Sequence, residues 1–156
     1  MSLYAQRGVS AQKEEVHADL LAEVFEVRTS FTAANNYSKL ITLNPPIYNS
    51  DMVVVYRLFD VINGQNLWRQ LPQAVYLVQG ELDYNFDFTR NDISLFLESD
   101  FDLATLGSAW SQNQVFRVVI IPGYFSNKNK KELDFNDYDA VVKAYNIKDS
   151  QVKTIQ

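Results

Sequence analysis

The sequence predicts an all-β fold, mainly antiparallel. It reads as a β-sandwich with one short C-terminal helix. Three observations carry this. Between Glu23 and Ile121, short runs place apolar side chains at every second position or on both sides. Turn signals separate the runs at short, regular intervals. Phe and Tyr are abundant, ten and nine of 156 residues. Flat rings and β-branched side chains pack well on a pleated surface, and strands so spaced build sandwiches or barrels.

Residues 1–21 form a polar lead-in, and 22–156 a single β-sandwich domain. In the lead-in, Ser10 is a candidate N-cap, with Val16, Leu20 and Leu21 at helical spacing. A short helix and a disordered lead-in are both compatible with that stretch. From Glu23 the period is two. Val24, Glu26, Arg28 and Ser30 face one way; Phe25, Val27, Thr29 and Phe31 face the other, as a strand with one buried side requires. A turn at 32–36 leads to a second strand at 37–43. Pro45 and Pro46 then take the chain out of the sheet, because proline cannot donate to a ladder.

The run from Met52 is apolar on both faces, which predicts a central strand covered on two sides. Asn63-Gly64 ends it with the strongest short hairpin signal, both residues tolerating positive φ. A strand at 74–78 and Gly80 lead into "ELDYNFDF". There Leu82, Tyr84, Phe86 and Phe88 line the expected buried face. Thr89–Asp92 turn the chain so that Ile93, Leu95 and Leu97 pair across the hairpin. A connection with a short helical turn precedes a second two-sided apolar strand, ended by Pro122. The last element changes period. Asn136 or Asp137 is the N-cap, and Tyr138, Val141, Val142 and Tyr145 form a stripe expected at an edge or end of the sandwich. A short strand at 151–155 closes the chain.

Composition removes several functions. The net charge is −5 with no offsetting basic stripe, so nucleic acid is not an expected partner. Lys128, Lys130 and Lys131 read as a solvated loop rather than an anion site. The absence of cysteine removes disulfides, thiolate zinc sites and cysteine nucleophiles together. No stretch approaches the roughly 20 apolar residues of a membrane-spanning helix. His17 is the only histidine and lies in the polar lead-in. No phosphate-binding, dinucleotide or zinc-protease motif is present, and no cofactor is expected.

The sharpest chemical lead is Asp83, Asn85 and Asp87, spaced as the start of a calcium loop. Such a loop needs Gly at its sixth position and Glu at its twelfth, which here are Phe88 and Ser94. Along a strand, Asp83 and Asp87 stand roughly 13 Å apart, too far for one ion. No metal is therefore expected, and the alternation reads as a strand with a wet side. The same spacing exceeds the roughly 5–9.5 Å of paired glycosidase carboxylates. Glu98, Asp100 and Asp102 are the loop acids that a glycan-directed hydrolase would use, against a plain reading as a solvated turn. Arg57 and Arg117 interrupt apolar strands, either as partners of structural carboxylates or as ligand clamps. Trp68 and Trp110 are candidates to stack on a sugar ring, or core residues.

Several stretches together, "AEVFEV", "VVVYRL", "LWRQLPQ", "YNFDFTRNDISLFL", "SQNQVFRVVIIPGYF" and "DYDAVVKAYNI", resemble a family of exported lipoprotein domains of Bacteroidetes-type bacteria. The resemblance spans roughly residues 22–155. In that family the domain commonly follows a lipoprotein signal and a short collagen-like stretch; here 1–21 hold neither a lipobox cysteine nor Gly-X-Y repeats. The resemblance implies a place at the cell envelope, periplasmic or surface-exposed, with membrane contact only through an upstream lipid anchor. The expectation is a non-catalytic binding or assembly domain with a protein or glycan partner, the alternative being the hydrolase. A homo-oligomer is also expected. Two strands are apolar on both faces, whereas a two-layer sandwich covers only one face of each sheet. The helix at 137–145, the N-terminal segment or a second copy must cover the other face. One short helix covers little, and symmetric pairing of like chains is the commonest remaining solution.

Overall fold

A computed structural model describes residues 22–123 and 133–155. The lead-in at 1–21, with its candidate helix from Ser10 and His17, and the lysine loop lie outside the described residues.

The described residues form nine strands: β1 Glu23–Thr29, β2 Ser38–Thr42, β3 Met52–Ile62, β4 Gln65–Gln70, β5 Gln73–Leu77, β6 Gly80–Phe88, β7 Asp92–Ser99, β8 Gln114–Ile121 and β9 Lys153–Ile155. A short helix α1, Ser108–Ser111, precedes β8. The longer α2, Tyr138–Ala144, follows it. The strands make two sheets, ordered β4-β3-β8-β1-β9 and β2-β7-β6-β5, the all-β sandwich expected. Every pair is antiparallel except β1 with β9, which runs parallel.

Local chemistry places the turns. Asn63 and Gly64 both take positive φ, 52° and 78°, and β3 folds back onto β4 in register Ile62↔Gln65. The Asp137 side chain accepts from the Ala140 N–H at 3.1 Å and so starts α2. β4 and β5 are joined by Leu71 and Pro72. The chain passes there from one sheet to the other, which brings the β4 and β5 edges together.

The core is double. Between the sheets lie Phe25, Val27, Phe31, Val53, Val55, Leu82, Tyr84, Ile93, Leu95, Phe116, Val118 and Ile120. A second cluster occupies the outer face of the five-stranded sheet. Val24, Val54, Tyr56, Trp68, Val115, Val119 and Ile121 pack there against Tyr138, Val141, Tyr145 and Ile147. β8 and the 53–57 part of β3 are thus covered on both sides, as their two-sided apolar pattern requires, while β3 runs out to exposed residues at 60–62.

Three expectations are corrected. The late helix lies on a sheet face rather than at an edge or end. The cover extends beyond the helix, since Leu133, Phe135 and Val152 join its stripe. The outer face is therefore covered by the chain itself, and that reason for a second copy falls away. Finally, the buried line along β6 stops short. Leu82 and Tyr84 are fully buried, but Phe86 is half-buried and Phe88 is 46% exposed. β5 pairs only with Gly80–Tyr84, so the far end of β6 has no neighbour on that side.

Candidate ligand-binding sites

The four side chains singled out from the sequence meet in two pairs, on opposite faces of the five-stranded sheet.

Trp68 and Arg117 meet on the outer face. Arg117 lies directly opposite Glu26 in the β1–β8 ladder and bonds it, Nε to Oε1, at 3.1 Å. Its Nη1 donates to the Tyr138 hydroxyl at 2.9 Å and to the exposed Asp149 carboxylate at 3.3 Å. Burial works against this guanidinium's charge, but the Tyr138 hydroxyl and the Glu26 carboxylate outweigh it and raise its pKa. Its carbon centre stands 4.9 Å from the Trp68 ring. Tyr138 packs against the same indole, ring centres 5.4 Å apart. Trp68 is only 8% exposed, so its faces are occupied and it is no open stacking platform. It serves instead as a rigid floor. Above it a groove of about 260 Å³ opens between β4 and the start of α2, lined by Asn66, Leu67, Trp68, Asn136, Asp137, Tyr138 and Asp139. Asn66, Asn136 and Asp139 are exposed at its rim, while Asp137 is engaged as the helix cap. The lining holds amides and carboxylates and no cation. It suits a neutral, hydroxyl-rich ligand and repels an anion.

Arg57 and Trp110 meet at the inner face, beside the β4–β5 edge. Arg57 is 3% exposed. Its Nε and Nη2 donate to Gln114 Oε1 at 3.0 and 2.7 Å, and its Nη1 donates to Gln73 Oε1 at 3.3 Å. Gln114 is itself fixed, its Nε2 donating to the Ala109 and Gln112 carbonyls. The guanidinium lies 4.0 Å from the Tyr84 ring centre and 5.5 Å from that of Trp110. The Tyr84 hydroxyl donates to the Trp110 carbonyl. Burial lowers the Arg57 pKa, and Tyr84 partly offsets this. Burial also raises the Tyr84 phenol to about 12, with Arg57 acting in the opposite direction. Among the described residues no carboxylate pairs with Arg57, so the structural ion pair weighed for it is replaced by two glutamines and aromatic faces. Gln73 and Gln114 carried no sequence signal, since a glutamine in a strand reads as surface.

The acids take other roles. Asp83, Asn85 and Asp87 lie on the outer face of the four-stranded sheet, with Asp83 directly opposite Glu98. Among the described residues no three His, Cys, Asp or Glu side chains are grouped to hold a metal ion. Glu98 accepts from Asn85 Nδ2, Asp100 from the Glu81 N–H, and Asp102 from the Ala104 N–H. The Glu81 carboxyl hydrogen-bonds to Asp83, which together with the like charge raises the Glu81 pKa.

Compared with protein-family models, with curated proteins and with solved structures, the chain finds no match.

Proposed function

We propose that this chain is a non-catalytic binding domain of an exported cell-envelope protein, and that the groove between β4 and α2 is its ligand face. The observation that carries the reading is the groove's construction. Arg117, Glu26 and Tyr138 lock the Trp68 floor in place, while exposed amides and a carboxylate stand free at the rim to meet hydroxyl groups. Rigid walls beneath a few convergent polar groups are what small-molecule recognition requires. The resemblance to exported lipoprotein domains supports the envelope location and, with it, a glycan as the hydroxyl-rich partner. The hydrolase alternative draws less support. Of the acids weighed for it, Glu98 accepts from the Asn85 side chain, and Asp100 and Asp102 accept from the Glu81 and Ala104 N–H groups, so all three are engaged in local structure.

The test is an NMR titration with neutral sugars: glucose, galactose, mannose, N-acetylglucosamine and their short oligomers. Saturable shifts at the Trp68 indole N–H and the Asn66 and Asn136 side-chain amides are expected, weakened by Asn136→Leu. No shift at these groups across the panel would refute the groove as a glycan face.

A further inference from the structure

We propose that the sandwich edge between β4 and β5 is a second, separate site, one that binds a carboxylate through Arg57, Arg69 and Gln73. Arg57 and Arg69 stand directly opposite each other in the β3–β4 ladder, so both guanidinium groups leave the same face of the sheet. Like charges so opposed repel, and an opposite charge between them would relieve the repulsion. The chain carries 19 acidic residues, yet among those described none pairs with either arginine. Arg57 spends three of its five N–H donors on neutral amide oxygens, which leaves its charge unbalanced.

Gln73 supplies an independent sign. It is 6% exposed, and its Nε2 has no hydrogen-bond partner. Turning the amide over does not help, because its N–H groups would then face the guanidinium and its oxygen would lose Arg57. A buried amide nitrogen and two guanidinium groups thus converge as donors with no anion among them. A carboxylate fits that set: it is planar, accepts two parallel bonds from one guanidinium, and keeps lone pairs for the amide. Aromatic rings complete the site. Phe59 lies 3.5 Å under the Arg69 guanidinium, and Tyr84 and Trp110 hold that of Arg57. Arg69 is exposed and gives the approaching anion its first contact, with Arg57 and Gln73 behind it.

The test is a titration of the whole chain with sodium acetate, followed through the Arg Nε–H and Gln side-chain resonances. Sodium chloride and sodium phosphate at matched ionic strength are the controls. Arg57 and Gln73 should shift together and saturate with acetate but not with chloride. Arg69→Gln, at an exposed position, should keep the fold and weaken acetate by about tenfold or more, the value of one charge-assisted contact. Gln73→Leu should weaken it too, whereas Asn66→Leu in the groove should leave it intact. The absence of a saturable shift, or an equal response to chloride, would overturn the proposal, because a water alone would then satisfy Gln73. Tighter binding of phosphate than of acetate would overturn the carboxylate assignment. An Arg69→Gln chain that titrates like the native one would overturn the two-arginine site.

Discussion

Ile120 and Ile121 are neighbours on β8, both fully buried, and they belong to different cores: Ile120 lies between the sheets and Ile121 beneath the C-terminal cover. Replacing each in turn by alanine tests whether the outer face is a true core. Either change removes three carbon groups, about 2.4 kcal/mol of transfer free energy at about 0.8 kcal/mol each. The cavity left behind adds to this, so each variant should lose about 3–4 kcal/mol, within the range measured for such truncations. A domain of this size has about 5–15 kcal/mol of stability, so both variants should remain folded. The substitutions are the same and adjacent in the chain, so effects on the unfolded state nearly cancel between them. Urea unfolding followed by tryptophan fluorescence measures the loss, with an unchanged slope m as the control for two-state behaviour. Were the outer face bare, Ile121→Ala would behave as a surface change, within about 0.5 kcal/mol. A loss under about 1 kcal/mol at Ile121, beside a full loss at Ile120, would refute the covered face.

Uncovering the same face by Val141→Asp should produce concentration-dependent association in sedimentation velocity, since a fully buried position would receive a charge and the apolar sheet would open. Asp83→Asn should be neutral or stabilising, because it removes repulsion toward Glu81 and Glu98, and should bring the Glu81 carboxyl back toward its ordinary pKa by carbon-detected NMR. Millimolar calcium should leave the thermal midpoint of this domain unchanged, and a clear rise would overturn the strand reading of Asp83–Asp87. Gly80 holds φ at +145°, and a Cβ there would run into the Asp100 carboxylate, so Gly80→Ala should cost about 1–3 kcal/mol in the same urea assay. Tyr84 keeps its proton in the folded chain up to about 12 but loses it near 10 when unfolded, so the unfolded state binds fewer protons between those values. Stability should be complete below pH 10 and fall by about 1.4 kcal/mol per pH unit for this group as pH rises toward 12, read by phenolate absorbance alongside unfolding.

The sequence by itself determined the local elements, because their causes are local. Alternation fixes which way a strand's side chains point. Asn63-Gly64 fixes a hairpin through the positive φ that both residues accept. Asp137 fixes a helix start by capping the Ala140 N–H. The two-sided apolar runs of β3 and β8 even implied that both their faces are covered. What covers them was a tertiary decision. The same valines would be buried equally well by a second copy or by residues 133–152, and only the path of the chain after β8 selects the latter. Arg117 meeting Glu26 across 91 residues and Arg57 meeting Gln73 and Gln114 are decisions of the same kind. So is β9 pairing in parallel with β1. Periodicity encodes the direction of a side chain and says nothing of what stands opposite it. The groove needs α2 to pack on β4, and the arginine-rich edge needs Gln73 of one sheet to meet Arg57 of the other, so neither site exists until the tertiary fold has formed.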